Sequence, residues 1–299
     1  MKPKGLLPHE VFFGLFMVIT WVRLVFVTGF FGPNALLYLA LLALNAAAIW
    51  YCRLADTARN WRWGLLYYPL AMNVIFQNMK VAIPQLHPGR MDPILQHLDW
   101  LLIGTNLSLR AQPLVHPVLT ELFSLCYILF FPYLLFSMVY YFLGEVDLLK
   151  KFVIGLFTIY GLGFLGYSLV PATGPYVAMA QQFSVPLTGG WITNANAAVV
   201  ARGSNGVDVF PSLHCAISCF FLFFDKRHRP WRFKLYLVPC VGLWLSTIYL
   251  RYHYFIDLLC GFALAAFALW LANRFPAKST INHQPQSATP LTTTHPGSP

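Results

Sequence analysis

Two short stretches of the chain carry side chains that can do chemistry together. The first is Phe210-Pro211-Ser212-Leu213-His214; the second runs from Ser246 to Asp257 and reads STIYLRYHYFID. Proline is favoured in the first helical turn, where its missing N–H is not needed, so Pro211 marks a predicted helix start. The free N–H groups and the dipole of such a start suit an anion, to which Ser212 adds a hydroxyl and His214 an acid or base. In the second stretch His253 and Asp257 stand at i and i+4 and share one face of a helix. A carboxylate there can hold one ring nitrogen, fix the tautomer and leave the other nitrogen free to attack an electrophile.

Each of these residues also has a plainer use. A lone histidine near a membrane interface is commonly a structural polar group, and Arg251 could simply snorkel to water. Serine and threonine in apolar helices commonly bond their own backbone. What favours chemistry is co-location: two histidines, an aspartate, a serine and arginines at one depth in a membrane, where ionisable groups are costly and functional by default.

The elements that position these groups follow from composition. Of 299 residues 58% are hydrophobic and 10% charged, whereas a soluble domain carries roughly 25% charged residues. The solvent is therefore lipid. Many Trp and Tyr end apolar runs, as the headgroup region favours. The net charge of +10 comes from basic residues in short loops that form no face or RNA-binding motif, which excludes nucleic acid as a partner. The six cysteines (Cys52, Cys126, Cys215, Cys219, Cys240, Cys260) fall in or beside apolar runs without CxxC or zinc-ligand spacing. Neither disulfides nor a metal is expected.

A bilayer core of about 30 Å needs roughly 20 apolar residues per helix, and eight stretches qualify: 11–31, 35–52, 63–83, 117–143, 152–170, 210–225, 235–251 and 254–274. Lys2 and Lys4 precede a first run that is too long for a signal peptide and lacks a cleavage site, so it counts as a span. With the N-terminus inside, fourteen Lys and Arg fall on the cytoplasmic side. Five fall outside: Lys80, Arg90, Arg110, Arg202 and Arg251. The positive-inside rule supports this orientation. Of the remaining charges within spans, Arg23 and Glu121 are expected to pair between the first and fourth helices. Two long outer segments, 84–116 and 171–209, have the length of functional loops, the first with an amphipathic stretch around Asp92 to Leu109. The Ser, Thr, Pro and Gln tail beyond Pro276 has too little apolar content to order itself.

The two reactive stretches resemble the second and third signatures of the type 2 phosphatidic acid phosphatase superfamily, PSGH and SRxxxxxHxxxD. Here they read PSLH and STIYLRYHYFID. PSLH, the YHYFID ending, and Asp92-Pro93-Ile94-Leu95 with Asp99 and Gly104 are similar to its inositol phosphorylceramide synthase-like branch. The resemblance covers roughly residues 84 to 270. It implies that His253 attacks phosphorus to give a phosphohistidine, Asp257 orients it, and His214 protonates the leaving alkoxide and then activates water or an alcohol. Ser212 and the backbone after Pro211 would cradle phosphate oxygens, and no metal or other cofactor is required. Two departures stand out. The first signature, KxxxxxxRP, is absent, with Val170-Pro171-Ala172-Thr173-Gly174-Pro175 in its place, and Thr247 replaces the arginine of the third. Arg251 and Arg202 are the expected replacement cations, and Tyr167 is a further candidate lining residue.

The expected protein is an all-α, polytopic bundle of about eight transmembrane helices. Residues 1–83 form N-terminal helices, 84–274 a catalytic domain with its site at the non-cytoplasmic surface of the cell inner membrane, and 275–299 a disordered tail. The expected function is a lipid phosphatase or phosphotransferase whose partners are the bilayer, a lipid phosphoester and, for transfer, a lipid or polyol alcohol. The alternative class is a transporter or lipid-binding protein using the same basic cavity. Such proteins often show inverted repeats and broken helices at the midplane. This sequence shows no repeat, and its polar groups gather at one surface.

Overall fold

The computed structural model describes residues 5–275; the expected disordered tail beyond 276, Lys2, Lys4 and Lys278 lie outside them. Among the described residues every regular element is helical. Helices α1 (Pro8–Thr28), α2 (Pro33–Leu54), α3 (Ala58–Leu65) and α4 (Tyr67–Leu86) make the N-terminal group. Helices α5 (Asp92–Ile103) and α6 (Leu107–Arg110) occupy the first long outer segment. Helices α7 (Pro117–Ile128), α8 (Phe130–Leu143) and α9 (Val146–Leu169) follow, then α10 (Pro175–Ala178) and α11 (Trp191–Gly203) in the second outer segment. The chain closes with α12 (Leu213–His228), α13 (Pro230–Tyr249) and α14 (Phe255–Arg274).

Five stretches are long and apolar enough to cross a membrane: Pro8–Thr28, Pro33–Leu54, Pro117–Leu143, Val146–Leu169 and Phe255–Arg274. Together with α4, α12 and α13 they occupy the eight expected spans. Large apolar side chains such as Phe26, Phe31, Leu70 and Val238 are more than two-thirds exposed, as lipid-facing residues must be. The protein is an integral membrane protein. Helix α9 is central: 78% of its apolar window is buried, against 28–33% for the other four. Its small residues make this possible. A Cβ on Gly161 would stand 2.7 Å from the backbone of Phe12 and Phe13 in α1, and one on Gly163 2.4 Å from Leu213 in α12, so neighbouring helices approach closely without hydrogen-bond loss.

The polar ends of the sixth and seventh spans are built into helix. At the α12–α13 turn Arg232 Nε donates to Asp225 Oδ2 at 2.9 Å, both side chains fully buried. Tyr133 and Tyr141 donate to the same carboxylate, and Arg232 Nη2 donates to Ser137 at 2.6 Å. These partners offset the cost of burying the pair, and the guanidinium, whose Nη1 has no hydrogen-bond partner, lies over the rings of Phe136 and Tyr140.

Arg23 and Glu121 do not pair. Helix α1 packs on α9 and α2 while α7 packs on α13 and α11, so the two residues lie on helices that are not neighbours. Arg23 Nη1 donates to the Ser168 carbonyl and hydroxyl at 3.1 and 3.2 Å. The Glu121 carboxylate accepts from the N–H groups of Gly190, Ile192 and Thr193, each at 2.9 Å. It thereby caps α11, a helix inside a segment expected to be loop, in the way an anion suits a helix start.

Candidate active site

Helix α13 ends at Tyr249, and the chain turns sharply into α14. Arg251 takes a left-handed conformation at φ 68°, and the single carbonyl of Thr247 accepts from both Tyr252 N and His253 N at 2.9 and 3.1 Å. Thr247 thus holds the turn with its backbone. Tyr254 caps α14, and Asp257, at the third helical position, accepts from Tyr254 N at 2.8 Å through Oδ2, one half of the reciprocal capping arrangement. The same oxygen lies 3.3 Å from His253 Nδ1. The carboxylate is fixed by the backbone beside His253, which favours the tautomer with the proton on Nδ1. Burial pushes the His253 imidazole down to about 4, with the Asp208 charge and the Val209 carbonyl drawing it back up, and the ring is neutral at ordinary pH.

The second histidine comes from the start of α12. The helix begins at Leu213 rather than at Pro211, because the Ser212 side chain takes the cap, accepting from Cys215 N at 3.4 Å. Ser212 N in turn donates to the Asp257 carbonyl at 3.1 Å. The two helix starts meet there because a Cβ at Gly261 would stand 2.6 Å from Ser212 O. His214 lies with its ring centroid 5.8 Å from that of His253, packed against Tyr127 at 4.8 Å and Phe130 at 4.7 Å. Its Nδ1 is buried without a partner. Ser212, His214, His253 and Asp257 therefore share one site at the ends of α12 and α14. Among the described residues no group of three His, Cys, Asp or Glu side chains is placed to hold a metal ion.

Helix α5 braces this site with two carboxylates. Asp92 accepts from Thr173 N, Gly174 N and the Tyr254 hydroxyl at 3.0, 2.9 and 2.9 Å. Asp99 accepts from Phe255 N and Ile256 N, each at 2.9 Å. Both side chains are buried. One helix thus grips the segment after α9 and the first residues of α14, immediately beyond His253.

A family model described as the PAP2 superfamily matches residues 92–271, a span that begins at the first of these carboxylates and takes in both histidines. The chain belongs to the PAP2 superfamily. It is 29% identical over 176 residues to a phosphoinositol dihydroceramide synthase of Bacteroides thetaiotaomicron, covering 52% of this chain and 55% of that protein. The chain therefore spans about half the length of the curated relative it matches. No solved structure matches.

Other expected site residues of this PAP2 superfamily member stand further off. Arg202 is exposed at the end of α11. Arg251 is buried, stacks on Phe183 at 4.0 Å and donates to the Val185 carbonyl, which ties the second outer segment to the site without touching either histidine. Tyr167 is buried beside the N–H of Leu213. The bracing by Asp92 and Asp99 escapes a reading of single motifs, although their i, i+7 spacing after a helix-starting Asp-Pro does place both on one face.

Proposed function

We propose that the chain transfers a phosphorus-bearing group of a membrane lipid by way of a covalent intermediate on His253. The observation that carries this reading is the pairing of His253 Nδ1 with Asp257 Oδ2, itself tied to Tyr254 N, while the His214 ring stands opposite. Nε2 of His253 attacks phosphorus and forms a P–N bond as the ester P–O bond breaks; His214 gives its proton to the departing alkoxide. An acceptor hydroxyl then loses its proton to His214 and attacks phosphorus, which frees His253. Asp257 supports the positive charge that develops on the His253 ring. Ser212 is the proposed phosphate ligand within the site, and Arg251 and Arg202, which stand further off, are the cations proposed to reach the phosphate.

The acceptor in this proposal is an alcohol, lipid or polyol, and the support for transfer over hydrolysis is the likeness to a protein named as a synthase. Residues 84–274 form the proposed catalytic domain and 1–83 its supporting helices, with the site on the non-cytoplasmic face of the inner membrane. The test is to incubate purified protein in mixed micelles with labelled lipid phosphoesters and a panel of alcohols and to identify the products, beside His253→Ala. A new phosphodiester lipid that disappears with His253→Ala supports transfer. Free phosphate as the sole product makes the chain a phosphatase, and turnover surviving in His253→Ala removes the covalent reading.

A further inference from the structure

Helix α5 is amphipathic the wrong way round for a helix that faces water. Asp92, Leu95 and Asp99, at i, i+3 and i+7, turn into the protein and are buried. Both carboxylates spend their oxygens on the bundle, and Gln96 Nε2 on the same side donates to the Tyr254 hydroxyl at 3.4 Å. The other face is apolar. Ile94, Trp100, Leu101 and Leu102 are each 50–60% exposed. Among the exposed residues of α5 only His97 is polar, and its ring stacks on Trp100 at 6.4 Å.

A contiguous apolar face of this kind marks an interaction surface, and the length of the helix restricts the partner. Twelve residues rise about 18 Å, well short of the bilayer core of about 30 Å, so α5 does not cross it. Yet α5 packs on α14, a span whose outward side chains, Leu259 among them, face lipid. The outward face of α5 continues that surface. It meets α14 at Phe255 and Ile256, the end opposite Trp270. Trp50, Trp63, Trp231 and Trp270 are exposed at the far end of the bundle, whereas Trp100 and Trp191 are exposed at the end that holds the histidines. Indole rings gather at headgroup level on both sides of a bilayer. Trp100 therefore marks the depth of α5.

We infer that α5 is an interfacial helix, lying along the leaflet beside the histidines with Ile94, Trp100, Leu101 and Leu102 at the boundary between headgroups and acyl chains. The partner of this face is the lipid surface itself. A helix of this kind sinks its apolar face about 5–10 Å into that boundary. Through Asp92 and Asp99 its position passes to Thr173 and Gly174 after α9 and to Phe255 and Ile256, immediately beyond His253. The helix thereby sets the depth of the site in the membrane. This placement is independent of any covalent step at His253.

The test places an environment-sensitive dye on a cysteine at Leu101, with the full chain in phosphatidylcholine nanodiscs, which leave both membrane faces open to water. Cys126 and Cys260, the cysteines that are not buried, are replaced by alanine. A cysteine at Gly203, whose Cβ position is open, carries the dye in the water-exposed reference. Lipid brominated near the top of its acyl chains should quench the Leu101 dye several-fold more than the Gly203 dye, and iodide several-fold less. Iodide quenching equal to that at Gly203 puts α5 in water, and protection from both quenchers puts a protein partner or a second copy on the face; either result overturns the inference. Activity on a labelled lipid phosphoester gives a second reading. Leu101→Asp, a charge on a side chain too short to snorkel to water, should lower kcat several-fold, while Leu101→Phe should keep it. Wild-type kcat in both variants, or an equal fall in both, overturns α5 as the element that sets the depth of the site. The dye measurement decides the placement even where Leu101→Asp fails to fold.

Discussion

Removing the Asp99 carboxylate should loosen the start of α14 and with it His253, the proposed nucleophile. Asp99 is fully buried and accepts from Phe255 N and Ile256 N at 2.9 Å each. Burial pushes its carboxyl up, and these two bonds draw it back. A hydrogen bond to a charged group contributes about 1.5–3 kcal/mol. Asp99→Ala loses two such bonds but admits some water to the half-buried N–H groups, so a net cost of about 2–4 kcal/mol is expected. Asp99→Asn keeps one acceptor and turns an NH2 towards the other N–H, so about 1–3 kcal/mol of unmet donor remains. His253 lies two residues before Phe255, and a displacement of about 1 Å at a reacting group can cost 10²-fold in rate. The assay is thermal unfolding in detergent alongside kcat, with kcat measured well below the midpoint of each variant. Both variants should lower the midpoint, Ala at least as much as Asn, and both should lower kcat by about 10²-fold. A variant with wild-type kcat and midpoint would refute α5 as the brace of the site.

Other expectations follow from the same geometry. Because burial holds His253 down to about 4, its nucleophilic neutral form persists above that pH; the acid limb of kcat/KM should fall near 4 to 5, and a half-loss near 6.5 would contradict the environment described. Gly261→Ala puts a Cβ 2.6 Å from Ser212 O, an overpacking cost of about 1–3 kcal/mol, and should lower the unfolding midpoint and activity together, whereas Gly203→Ala, with open space at its Cβ, should change neither. In intact cells, cysteine at Gly203 should react with an impermeant thiol reagent and cysteine at Arg227, exposed at the other end of the bundle, should not, once native thiols are removed; the reverse pattern would invert the proposed orientation.

Much of the architecture was legible because a bilayer restricts backbone to helices whose length and hydropathy show in the sequence. The eight apolar runs reappear as helices, and the PSLH segment lies beside the i, i+4 pair of His253 with Asp257. Helix boundaries were less legible. Ser212 outcompetes Pro211 for the start of α12, and the Asp225–Arg232 pair carries helix into residues that read as loop. Long-range polar contacts were not legible at all. The sequence offered Arg23 and Glu121 to each other as the charges left within spans, yet Glu121 caps α11 and Arg23 bonds Ser168, partners chosen by which helices are neighbours. The roles of Asp92 and Asp99 have the same origin: their acceptors' targets, at Thr173, Gly174, Phe255 and Ile256, are backbone groups, and backbone donors leave no trace in a sequence.

The central claim is a covalent bond between phosphorus and His253, and rapid quench with lipid labelled on phosphorus tests it most directly. Under conditions that preserve acid-labile phosphohistidine, the label should map to His253 within a turnover. It should be absent from His253→Ala, and it should form far more slowly, by about 10⁴-fold by analogy with triad enzymes, in Asp257→Asn. Label on Ser212 or His214 in place of His253, or turnover that proceeds with inversion at phosphorus and no labelled protein, would contradict it.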